Sequence, residues 1–129
     1  MSKNILLIED HSETIDIYKD LFLSEGFSFE ALSSGKLAKD KIKSITKEEK
    51  KPSLILLDLM LPDINGEKLL QIIREKNTTK EIPVIIFTNY TDPEQEKKIE
   101  KLGIEKFIIK TDQTPLEFLN IIKNWFENQ

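Results

Sequence analysis

Side chains able to do chemistry follow one apolar run after another. Glu9 and Asp10 follow Ile5-Leu6-Leu7-Ile8, and Asp58 follows Leu54-Ile55-Leu56-Leu57. Thr88 follows Val84-Ile85-Ile86-Phe87, and Lys110 follows Phe107-Ile108-Ile109. An unpaired carboxylate at the end of a buried run is costly to desolvate, so Asp58 needs a compensating partner. Carboxylates gathered at one place repel each other and raise their own pKa values; a hard divalent cation removes that conflict. Mg²⁺ takes oxygen ligands, keeps several waters and commonly uses one or two carboxylates plus a phosphate oxygen. Asp10 and Asp58 are therefore candidate direct ligands, with Glu9 acting directly or through water. The absence of cysteine and the single histidine disfavour zinc. Lys110 adds a fixed positive charge and Thr88 a hydroxyl donor. A metal, an ammonium and a hydroxyl around one carboxylate are the apparatus of phosphoryl transfer. Asp58 is the candidate acceptor, since carboxylates form acyl phosphates.

Each residue alone has a plainer reading. Glu9-Asp10 suits a helix N-terminus, where the dipole favours acids. Thr88 suits a turn, and Lys110 a solvated loop. His11 reads as a solvent-facing residue in the first turn of a helix. What favours a site is the coincidence at the ends of separate strands.

The elements that must position these groups alternate along the chain. The apolar runs suit strands covered on both faces, as in a parallel sheet, and Phe27 to Leu32, mixed in polarity, suits an edge strand. Ile15, Tyr18, Leu21 and Phe22 keep near-helical spacing and are followed by Gly26, a helix stop. Leu69, Leu70, Ile72 and Ile73 form a second stripe after Gly66. Asp92-Pro93 starts a helix that Gly103 stops, and Thr114-Pro115 opens one through Leu116, Leu119, Ile122 and Trp125. The lysine-rich stretch 35–51 reads as an amphipathic helix, with Leu37, Ala38, Ile42 and Ile45 in register, followed by a solvated loop. Five strands alternating with five helices imply a doubly wound α/β fold with a five-stranded parallel sheet, formed by one domain over residues 1–129. Such folds bind ligands outside the carboxyl ends of their strands.

The 129 residues carry a net charge of −4, which argues against direct nucleic-acid binding. No apolar stretch approaches the roughly 20 residues of a membrane span. The N-terminus does not have the pattern of a secretion signal, so a cytoplasmic location is expected.

Taken jointly, Glu9-Asp10, the stretch from Asp58 to Gly66, Ile82 to Thr88, and Phe107 to Lys110 resemble the receiver domains of two-component response regulators. The resemblance covers essentially the whole chain. It implies a flavodoxin-like sheet of order 2-1-3-4-5 and a phosphoacceptor at Asp58. The phosphoryl donor it implies is a phosphohistidine on a sensor histidine kinase or histidine phosphotransfer protein. It also implies Mg²⁺ held by Asp10, Asp58 and the backbone carbonyl of Met60, with Glu9 helping through water. Lys110 would pair with Asp58 and then with the phosphoryl group. Thr88 and Phe107 would act as a switch that alters a docking surface on the fourth helix, fifth strand and fifth helix, read by a downstream protein the sequence does not name.

The chain departs from that pattern at Thr111, where the family usually has a proline after the lysine, and at Asn89, a position commonly small. A trans bond, or a strained cis one, is expected after Lys110. Met60 and Tyr90 occupy positions where the family tunes phosphoryl lifetime. A haloacid-dehalogenase-type phosphatase would need an acid at Met60, and a flavin carrier would need a phosphate loop in place of Glu9-Asp10. The remaining alternative is a receiver-like adaptor that binds partners without phosphorylation. Met1 and the lack of an output domain favour a stand-alone receiver. Trp125 and Phe126 suit either a dimer face or the core.

Overall fold

The computed structural model describes residues 3–48, 50–90 and 92–129; Glu49, in the lysine-rich loop, lies outside them. The order of elements is β1 (Asn4–Ile8), α1 (Ser12–Ser24), β2 (Ser28–Leu32), α2 (Gly35–Ser44), β3 (Leu54–Leu57), α3 (Gly66–Glu75), β4 (Val84–Thr88), α4 (Pro93–Leu102), β5 (Lys106–Ile109) and α5 (Pro115–Glu127), with a 3₁₀ turn at Lys110–Asp112. The strands form one sheet in the order β2-β1-β3-β4-β5, and every neighbouring pair is parallel. This is the doubly wound, flavodoxin-like order that the resemblance implies.

Period-2 alternation builds two cores. Leu6, Ile8, Ile55, Leu57, Val84 and Ile86 point to one face, where Ala38, Ile42, Leu69, Ile73 and Ile99 from α2, α3 and α4 cover them. Ile5, Leu7, Leu54, Leu56, Ile85 and Phe87 point to the other, under Tyr18, Phe22, Phe118, Ile122 and Trp125 from α1 and α5. β1, β3 and β4 are buried on both faces, which is why they read as unbroken apolar runs; β2 and β5 are the edges. Trp125 and Phe126 belong to the α1/α5 core rather than to a free face.

The end signals act as their residue types demand. Asp92 caps α4 and Thr114 closes a capping box with Glu117, each followed by proline at the first helical position. Gly26, one residue past the last turn of α1, and Gly103 at the end of α4 have φ of 86° and 98°, a region that favours glycine. One local expectation fails. Leu37 is 49% exposed, because α2 turns only Gly35, Ala38 and Ile42 fully inward. Gly66 is needed for a close approach of backbone. It is the first residue of α3, and a Cβ there would lie 2.5 Å from the Leu59 Cα and 2.6 Å from the Asp58 carbonyl oxygen. Among the described residues, no helix is long and apolar enough to cross a membrane.

Candidate functional site

Parallel pairing brings the carboxyl ends of the strands to one edge of the sheet. Ile8 pairs with Leu57 and Leu57 with Ile86, so the residues that follow emerge side by side. The ladder continues one step further: the Asp58 N–H donates to the Ile8 carbonyl at 3.1 Å. The loop after Asp58 is held on both sides. Gly66 N–H donates to the Leu59 carbonyl, and the Asp63 carboxylate accepts from the Gly35 and Lys36 amides at 2.8 and 2.9 Å. Those amides at the start of α2 hold the Asp63 carboxyl below the usual carboxylate range, Lys36 first and Gly35 second.

Asp58 sits at the bottom of this edge, 3% exposed. Its Oδ1 accepts from the Thr88 hydroxyl at 2.9 Å and from the Met60 N–H at 3.0 Å. Its Oδ2 accepts from Lys110 Nζ at 2.9 Å. The same ammonium donates to Glu9 Oε1 and lies 5.5 Å from the centre of the Phe87 ring. Burial alone would push the Lys110 pKa down; hydrogen bonds and charge from Glu9 and Asp58 outweigh it and hold the pKa above its ordinary value. Glu9, Asp58 and Thr88 are buried, while Asp10 is partly open. The structure thus brings Glu9, Asp58, Thr88 and Lys110 into direct contact, with Asp10 beside them.

Whether these residues suit a cation is answered by Asp10. Its Oδ1 is buried and, among the described residues, has no hydrogen-bond partner. A buried anionic oxygen without a donor is unfavourable, and the donors around it are oxygen-rich. Lys110 pairs with Glu9 and Asp58, which leaves the adjoining Asp10 carboxylate as negative charge that a hard divalent ion fits.

Phe107 is half-buried and packs against the α2–α4 core. It pairs with Ile86, so it shares a face with Thr88 two residues further along β4. The bond between Lys110 and Thr111 is trans, and the 3₁₀ turn there is pinned by Gln113 Nε2 donating to the Ile109 carbonyl at 2.6 Å. Lys110 therefore reaches the acids without the proline found elsewhere. Met60, Asn89 and Tyr90 are exposed beside the pocket.

Two residues at the site were not singled out by sequence reasoning. Tyr18 from α1 packs edge-on against Phe87 and Phe118, with centroids 5.4 and 5.3 Å apart. Burial, then the charge of Glu9, pushes its hydroxyl up to about 12. Phe87 supplies the ring under Lys110. Both had read only as core apolar residues, and nothing in their spacing marks which ring meets an ammonium.

The family model described as the response regulator receiver domain matches residues 5–122. The chain belongs to that family. Receivers are signalling domains, and phosphorylation and magnesium are general features of the family. This receiver is 28% identical over 125 residues to the polar-differentiation response regulator DivK of Brucella ovis, with 97% of each chain covered. It is also similar to a CheY-like receiver domain protein from Methanospirillum hungatei JF-1, with a TM-score of 0.84 at 25% identity over 99% of this chain and 96% of that one. The phosphorylated cyanobacterial phytochrome response regulator RcpA shares the fold, with a TM-score of 0.82 at 24% identity over 98% and 93%.

Proposed function

We propose that residues 1–129 form a phosphoacceptor receiver in which Asp58 takes a phosphoryl group from a phosphohistidine on a sensor histidine kinase or histidine phosphotransfer protein. An Asp58 carboxylate oxygen forms the new P–O bond as the P–N bond breaks, and the donor imidazole leaves with the electron pair. The observation that carries this reading is the convergence of Thr88 Oγ1 and Lys110 Nζ on the two oxygens of one carboxylate, each at 2.9 Å. Both are donors suited to the extra oxygens a phosphoryl group would bring.

Asp10, Asp58 and the Met60 carbonyl would hold Mg²⁺, with Glu9 assisting through water. The ion would neutralise charge on the phosphoryl oxygens. Lys110, already bonded to Asp58, would keep its ammonium on the phosphorylated side chain. Thr88 would turn its hydroxyl to a phosphoryl oxygen, and Phe107, on the same face, would move into the space released. The readout is a changed surface on α4, β5 and α5 that a cytoplasmic partner protein recognises.

Treatment with acetyl phosphate and Mg²⁺ tests this. The expected result is a mass gain of one phosphoryl group that is labile to base, requires Mg²⁺ and is absent in Asp58→Asn. A gain that persists in that variant would move the acceptor elsewhere. No gain, together with partner capture indifferent to beryllofluoride, would identify a constitutive adaptor.

A further inference from the structure

The N-cap of α1 is occupied by His11, whose side chain makes no capping hydrogen bond. Ser, Thr, Asp and Asn are preferred at this position because their oxygens cap helix N–H groups. The imidazole is 73% exposed, yet it folds back onto the acids. Its Nδ1 lies 3.3 Å from Glu9 Oε2 and 3.6 Å from Asp10 Oδ1, the buried oxygen with no hydrogen-bond partner. The His11 backbone N–H donates to the same Glu9 oxygen at 3.1 Å, which holds residues 9 to 11 in a tight turn. One donor atom from each of Glu9, Asp10 and His11 can be chosen so that all lie within 4.8 Å of one another.

Such spacings suit a shared ion. Donors bound at about 2.1 Å sit about 3.0 Å apart on an octahedron and about 3.4 Å apart on a tetrahedron. The two carboxylates alone are an oxygen set, suited to Mg²⁺. An imidazole nitrogen changes the preference, because nitrogen donors favour Zn²⁺ and its neighbours over Mg²⁺.

We propose that His11 is a nitrogen donor to a divalent ion held with Glu9 and Asp10, at a position that shares Asp10 with the Mg²⁺ ligands named above, giving this receiver a binding preference for zinc-class ions beyond what its carboxylates confer. The inference rests on the acid pocket being a divalent-cation site. Zn²⁺ bound there competes with Mg²⁺, so the pocket responds to the balance of the two ions.

Calorimetric titration of untagged protein with Zn²⁺ and with Mg²⁺ tests it, using wild type, His11→Asn and Asp10→Asn. Asn is a good N-cap residue, so the histidine variant keeps its helix start. Expected is a fall in Zn²⁺ affinity of about tenfold or more in His11→Asn, the order that even an outer partner of a metal ligand costs, with Mg²⁺ affinity unchanged. Asp10→Asn weakens both ions. The chain has one histidine, so its ¹⁵N imidazole resonances are unambiguous. Zn²⁺ should shift Nδ1, and Mg²⁺ should not. Unchanged Zn²⁺ affinity in His11→Asn, or a Zn²⁺-induced imidazole shift that survives unaltered in Asp10→Asn, overturns the proposal while leaving the Mg²⁺ pocket standing. Absence of binding by either ion in wild type overturns both.

Discussion

Lys110 Nζ stands 2.9 Å from Asp58 Oδ2 while also bonding Glu9, so one ammonium spans two buried carboxylates. Lys110→Met leaves Glu9, fully buried, and Asp58 facing each other without that charge. Breaking a buried pair costs about 3–5 kcal/mol. The Lys110 side chain keeps 12% of its exposure, so the expected loss is about 2–4 kcal/mol by urea unfolding. Added Mg²⁺ should recover part of it, and the same variant should lose phosphorylation by acetyl phosphate. The raised Lys110 pKa fixes the sign with pH. Its contribution is complete below the ordinary value of 10.5 and fades as pH rises through the higher folded value. Lys110→Met should lack that alkaline loss.

The sequence exposed most of this arrangement because the site sits at strand ends. Where β1, β3 and β4 are covered on both faces, a polar residue after an apolar run stands out. Asp58 and Thr88 were visible for that reason, Lys110 follows the shorter apolar run of the edge strand β5, and parallel pairing then dictated that they meet. The elements were legible from period and punctuation, with Asp92-Pro93, Thr114-Pro115 and Gly103 marking ends by backbone chemistry. Other features depend on tertiary approach. Leu37 has helical spacing but stays about half exposed. The need for Gly66 shows only when the Asp58 carbonyl oxygen is found 2.6 Å from where its Cβ would be. His11 was expected to face solvent in the first turn of α1; it is exposed, but at the N-cap, with its ring turned onto Glu9 and Asp10. A side-chain torsion decides that, and one-dimensional spacing does not encode it.

Tyr18 gives a second alkaline signature. Its hydroxyl is pushed from 10.0 to about 12, chiefly by burial and then by Glu9. The folded state therefore holds the phenolic proton more tightly than the unfolded chain does. Stability is unaffected below pH 10 and falls between the two values as the unfolded state sheds its proton. The span corresponds to up to about 2–3 kcal/mol. Tyr18→Phe keeps the ring packed on Phe87 and Phe118, so its stability should decline less steeply above pH 10. Chemical denaturation of both proteins across that range checks the difference.

The glycines separate crowding from backbone freedom. Gly66→Ala would force its methyl into the Leu59 Cα and the Asp58 carbonyl, and both are backbone. Overpacking of this kind costs about 1–3 kcal/mol or more, and the loop that must yield carries Asp58. Gly66→Ala is thus expected to reduce both thermal stability and the rate of phosphorylation. Gly26→Ala meets nothing within 4 Å and suffers only from its φ of 86°. It should cost about 1–2 kcal/mol with phosphorylation unchanged. Equal effects on phosphorylation from the two variants would contradict this assignment.

Arg74 ties the far end of the sheet together. Its guanidinium donates to the Gly103 carbonyl through Nε at 3.1 Å and Nη2 at 2.9 Å, and to the Lys80 and Ile82 carbonyls through Nη1 at 3.0 and 2.8 Å. One planar fork on α3 therefore fixes both the end of α4 and the approach to β4. Burial pulls its pKa below the ordinary value, opposed by Glu105 and Glu81, but a guanidinium stays charged throughout the usable range. Arg74→Ala leaves the partly buried Ile82 carbonyl without that donor and is expected to cost about 2–4 kcal/mol, since hydrogen bonds from charged groups contribute about 1.5–3 kcal/mol each and do not add fully. Arg74→Lys should recover less than half of that, because a point ammonium cannot reproduce the fork. The cluster lies at the amino-terminal end of β4, away from Asp58, so phosphorylation of the folded variants should match wild type. A phosphorylation defect at temperatures where Arg74→Ala remains folded would instead show that this end of the sheet is coupled to the acid pocket.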